Sequence, residues 1–116
     1  MAEKNETKFK KRIRPLLEAI PRSWWLKTQE RTMRGVPDFL GSVRGHFVAL
    51  ELKMDGEEPD MLQEWVLGKI IKAGGMAVCV TPKNWPEVYK TLLQISNGTL
   101  RFTGSEDFIE DPKFSS

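Results

Sequence analysis

The chain has 116 residues and a formal charge of +2, a size that suits one domain around one modest core. Its single cysteine, Cys79, excludes an internal disulfide framework and any multi-cysteine zinc site. No apolar run approaches the roughly 20 residues of a membrane span, and the charged start does not resemble a signal peptide, so a cytoplasmic protein is expected.

The charge is unevenly placed. Residues 1–34 hold ten Lys or Arg against four Glu, a local charge of +6. The remainder holds eight against twelve and is −4. Basic side chains suit phosphates and acidic ones suit a metal ion, although charge runs are usually solvated faces.

Residues 6–20 read as a helix, because Phe9, Ile13, Leu16, Leu17 and Ile20 recur at helical spacing. Asn5 is placed to cap it and Pro21 follows its end. Pro15 predicts a bend or break. At about 100° per residue, the apolar stripe centres roughly 40° from Glu6 and roughly 160° from Glu18. Glu6 therefore points with the core face, and Glu18 points away. Lys8, Lys10, Lys11, Arg12 and Arg14 make this helix a basic rim suited to DNA phosphates.

Residues 23–30 read as a strand in which Trp24, Leu26 and Thr28 alternate with Trp25, Lys27 and Gln29. Adjacent tryptophans on a strand face opposite ways, so one of them is left for a partner or the surface. Residues 30–34 read as a polar loop carrying Arg31 and Arg34 towards phosphates.

Residues 35–53 carry the chemistry. They read as two short strands joined by a tight, Gly-containing turn. Asp38 follows Pro37 on the first, and the second ends in Glu51-Leu52-Lys53. Val48, Leu50 and Leu52 share one face of the second strand, and Ala49, Glu51 and Lys53 share the other. Asp38 and Glu51, brought together by the hairpin, repel unless a cation lies between them. A hard divalent ion such as Mg2+ takes one or two carboxylates with water and phosphate oxygens. A lysine two residues further on would stand beside the attacking water. Glu-x-Lys alone carries little information, since Glu6-Thr7-Lys8 repeats it. The bland reading is a hairpin whose outer face is solvated by charges. His46 begins the second strand about seven residues before Lys53, roughly 23 Å along an extended chain, too far to serve as the general base.

Beyond an acidic turn, Pro59 opens a helix to about residue 73, with Leu62, Trp65, Val66, Lys69 and Ile70 on one side and Gly74-Gly75 as its stop. From pattern alone, Gln63 is a solvent-facing glutamine. Residues 76–81 read as a buried strand around an inert Cys79. Residues 86–96 form an amphipathic helix contributing Val88, Leu92, Leu93 and Ile95 to the core. Residues 100–103 read as a last edge strand, and 106–116 as an acidic tail, free or docked. The expected fold is α/β, a mixed four-stranded sheet flanked by helices in the order α-β-β-β-α-β-α. Residues 1–96 form one domain, and 97–116 form the edge strand and tail.

Pro37-Asp38 with Glu51-Leu52-Lys53 resembles the two signature pieces of the PD-(D/E)xK nuclease superfamily. Arg34-Gly35-Val36-Pro37-Asp38, followed by Gln63, is most similar to its VRR-NUC branch. The resemblance spans about residues 6–95 and is specific between Arg34 and Gln63. It implies a restriction-endonuclease-like core and a DNA endonuclease dependent on Mg2+ or Mn2+. On this reading Asp38, Glu51 and the carbonyl of Leu52 bind the metal, and Glu6 adds a ligand or positions a second ion. Lys53 polarises the attacking water, Gln63 orients water or substrate, and Lys27 lies near the cleft. A structure-selective enzyme acting on branched or junction DNA as a homodimer is favoured. A sequence-specific phage or homing-type endonuclease comes second. A non-catalytic nucleic-acid-binding module is the alternative from another class.

Overall fold

A computed structural model describes residues 5–29 and 34–101. In chain order the elements are helix α1 (Asn5–Glu18), strands β1 (Ser23–Lys27), β2 (Phe39–Val43) and β3 (His46–Leu52), helix α2 (Met61–Lys72), strand β4 (Met76–Val80) and helix α3 (Trp85–Ser96). The architecture is α/β, one mixed four-stranded sheet in the order β1-β2-β3-β4 with three helices. The first three strands form an antiparallel meander, and α2 crosses over to bring β4 in parallel to β3.

The β2–β3 turn is two residues long, Arg44 and Gly45, with φ of 48° and 83°. Such a turn matches the twist of the strands it joins but asks for left-handed backbone, which glycine adopts readily and arginine does not. The Arg44 guanidinium donates to the Ser96 carbonyl at 3.4 Å, alongside Arg22 Nε at 2.6 Å. Two cations thus meet the carboxyl end of α3, where the helix dipole favours positive charge.

One face of the sheet carries the main core. Phe39, Val43, Val48, Leu50, Leu52, Val78 and Val80 pack there against Phe9, Ile13 and Leu17 of α1 and Val88, Leu92 and Ile95 of α3. Fully burying one such aliphatic side chain contributes about 1.5–3 kcal/mol. Trp25 joins this core over Gly41, where an added Cβ would collide with its ring. On the other face α2 sets Leu67 and Ile71 over Ala49 and Ala77, whose small side chains let the helix approach. That helix covers β3 and β4 but leaves Trp24 (65% exposed), Leu26 and Phe47 in the open.

Several expected details differ. The first helix is unbroken across Pro15 and ends at Glu18, since an exposed proline on the solvent side removes one hydrogen bond without removing the buried stripe. Leu16 lies at the margin of that stripe and is exposed. The strand expected over 23–30 stops at Lys27. The second helix starts at Met61 with Asp60 as its N-cap, so Pro59 lies outside it. Its buried side is Leu67 and Ile71, while Leu62 and Trp65 are exposed. Leu100 packs against the core and bonds to the Gln94 carbonyl rather than adding a strand. The rest of the expected edge strand and the acidic tail lie outside the described residues. Among the described residues, no helix is long and apolar enough to cross a membrane.

Candidate active site

The site forms where β2 begins and β3 ends. The β2–β3 register pairs Phe39 with Leu50, so continuing it by one residue sets Asp38 opposite Glu51. Both carboxylates are buried, at 3% and 2% exposure. Burial of that degree is costly for a charged group unless it is paired and hydrogen-bonded, and both are. Asp38 Oδ2 accepts from the Leu52 backbone N–H at 2.8 Å, and Oδ1 lies 2.9 Å from Lys10 Nζ. Glu51 Oε2 accepts from Gln63 Nε2 at 2.9 Å and faces Lys53 Nζ at 3.9 Å.

Thr28 fixes the backbone that delivers Asp38. Its hydroxyl donates to the Pro37 carbonyl at 2.7 Å, and its N–H to the Asp38 carbonyl at 2.9 Å. The sequence reading placed Thr28 only in the Trp24, Leu26, Thr28 row, whose other two members are exposed, and anticipated neither its burial nor its partner.

Gln63 is no solvent-facing residue. Its Oε1 accepts from the Asp60 N–H while Asp60 Oδ1 accepts from the Gln63 N–H, a reciprocal capping box. The remaining amide nitrogen reaches Glu51, so the start of α2 is tied directly to the second carboxylate. The Asp60-x-x-Gln63 spacing was the available signal, and the sequence reading placed Pro59 there instead.

Glu6 and Glu18 separate as the helical phase requires. Glu6 Oε2 lies 3.4 Å from Lys10 Nζ, beside Asp38, while Glu18 pairs outside with Arg14 at 3.6 Å. Among the described residues, no three or more His, Cys, Asp or Glu side chains converge closely enough to hold an ion. The donors the geometry offers are Asp38, Glu51 and the Leu52 carbonyl, which shares with its N–H the strand edge facing Asp38. Two carboxylates and a carbonyl are a hard-oxygen set of the kind Mg2+ takes with water and phosphate oxygens, so these residues fit the ion.

The basic residues divide around α1. Lys10, Lys11, Arg14 and Lys27, with Thr7, line a cleft of about 330 Å³. Lys8 and Arg12 line a second, of about 290 Å³, with Asn5, Phe9, Met54 and Pro82. Lys27 therefore lines the same cleft as the helix cations Lys10, Lys11 and Arg14. Arg34 is exposed just before the Pro37–Asp38 segment, and Arg31 lies outside the described residues. Cys79 pairs in register with Glu51. Burial pushes its thiol up to about 11, and the Glu51 carboxylate adds to the shift. Comparison with protein-family models, with curated proteins and with solved structures finds no match for this chain.

Proposed function

We propose that this chain is a divalent-metal-dependent DNA endonuclease of the PD-(D/E)xK type, with a restriction-endonuclease-like core. The observation that carries the reading is the pair of buried carboxylates, Asp38 and Glu51, held at one end of the sheet beside a cleft of four cations. A nucleic-acid-binding module would use the cations alone. It would have no use for two buried carboxylates beside its phosphate-binding cations.

Asp38, Glu51 and the Leu52 carbonyl would hold Mg2+ or Mn2+, whose contribution is to acidify water and to stabilise charge on the scissile phosphate. The protein groups do the positioning. Lys53 orients the attacking water and stabilises negative charge on the phosphate oxygens. Gln63 holds the Glu51 carboxylate in one orientation, and Glu6 acts on the same corner of the site. Lys11, Arg14 and Lys27 grip the DNA backbone, with Lys8, Arg12 and Arg34 extending the basic surface. Branched or junction DNA is the favoured substrate. A sequence-specific endonuclease is the second choice.

The test is purified protein with Mg2+ or Mn2+ against junction, flap, single-stranded and plain duplex DNA. Metal-dependent cleavage that prefers branched substrates is expected. Binding without cleavage of any of them would leave the binding-module reading in its place.

A further inference from the structure

Lys10 belongs to both halves of the site. It lines the cationic cleft with Thr7, Lys11, Arg14 and Lys27, yet its ammonium lies 2.9 Å from Asp38 Oδ1 and 3.4 Å from Glu6 Oε2. The side chain is only 14% exposed. Asp38 Oδ2 is engaged by the Leu52 N–H, so Oδ1 is the oxygen that an incoming cation would use, and Lys10 is on it.

An ammonium and a divalent ion cannot share one carboxylate oxygen in a buried corner without strong repulsion. Asp38 and Glu6 offer the ammonium its place, and the long, flexible lysine stem offers a way out. The cleft wall, which Lys10 already lines, is where the displaced ammonium would go. There it would stand with Lys11, Arg14 and Lys27, facing phosphate.

We propose that Lys10 is a resident counter-ion that competes with the divalent metal for Asp38 and, when displaced, swings into the cleft and strengthens its hold on DNA. The inference rests on the metal-dependent reading of the site. It makes metal binding and DNA binding mutually reinforcing, since a coupling of this kind works equally in both directions. It also gives Lys10 a positioning role that its place among the helix cations does not suggest.

The test is calorimetric titration of Mg2+ into wild type, Lys10→Gln and Asp38→Asn, all without DNA. We expect Lys10→Gln to bind Mg2+ about tenfold tighter than wild type or more, because a competing charge has been removed. Equal or weaker binding by Lys10→Gln, with wild-type binding abolished by Asp38→Asn, would overturn the role of Lys10 and leave the metal site standing. Absence of Mg2+ binding in both wild type and Lys10→Gln would overturn both. A measurement on wild type alone covers the case in which Lys10→Gln does not fold. The Lys10 ammonium should give a protected 15N resonance without Mg2+ that is lost on saturation with Mg2+. Persistence of that resonance would overturn the proposal.

Discussion

At the residue scale, Asp38 is a structural anchor as well as a candidate ligand. Replacing it with alanine would orphan the Leu52 N–H, at a cost of about 1–3 kcal/mol. Asp38→Asn keeps an acceptor and is the cleaner probe. We expect it to fold, to bind DNA and to lose cleavage, as should Glu51→Gln. Lys53→Ala should retain metal binding while turnover falls by about a hundredfold or more, measured as single-turnover cleavage. Cys79 provides a check on burial that is independent of activity. With its thiol raised from 9.0 to about 11, the thiolate fraction near pH 8 falls about a hundredfold, and alkylation should slow accordingly. The sign for stability follows. The unfolded thiol ionises first, so this contribution is intact below about pH 9 and is lost as pH rises towards 11. Alkylation at the rate of a free thiol would contradict the half-buried place of Cys79 beside Glu51. Asp38, Glu51 and Lys53 were legible because their residue types and strand alternation are local. The partners of Lys10 and Thr28 were not, because they depend on a helix and a loop packing around the sheet end.

At the scale of elements, α1 sorts its charges by phase. Glu6 turns in towards Lys10 and Asp38, and Glu18 turns out to an exposed pair with Arg14 of a kind worth about 0–1 kcal/mol. Glu6→Gln should therefore lower cleavage several-fold or more, and Glu18→Gln should not, with thermal denaturation showing both folded. The reverse order would place the wrong end of α1 at the site. This phase could be read from the sequence because Phe9, Ile13 and Leu17 fix the buried stripe on both sides of Pro15. The phase of α2 could not. Leu62, Trp65 and Val66 mark its most apolar side, yet the helix seats Leu67 and Ile71 instead. What decides is the shape of the sheet below it, where Ala49 and Ala77 leave room, and the Gln63–Glu51 bond that sets its rotation.

For the whole molecule, the sheet face beyond α2 remains to be accounted for. Trp24, Leu26 and Phe47 expose apolar surface there, and aromatic surface of this sort is characteristic of interfaces. We expect a homodimer, which would let paired sites cut two strands. Sedimentation at micromolar concentration checks this, and Trp24→Ser should shift the species towards monomer. DNA affinity should fall steeply with salt, by about 0.9 in log–log slope for each phosphate contact on duplex DNA. A salt-insensitive monomer would place the DNA grip on another protein. The element order and mixed sheet could be anticipated because each element carries its own periodicity, whereas an interface depends on which apolar residues packing leaves uncovered. The most direct measurement is Mg2+-dependent cleavage of a four-way junction by wild type beside Asp38→Asn. We expect cleavage by the first and none by the second, with both still binding the junction. Undiminished cleavage by Asp38→Asn, or no cleavage by wild type with either Mg2+ or Mn2+, would contradict a nuclease centred on Asp38 and Glu51.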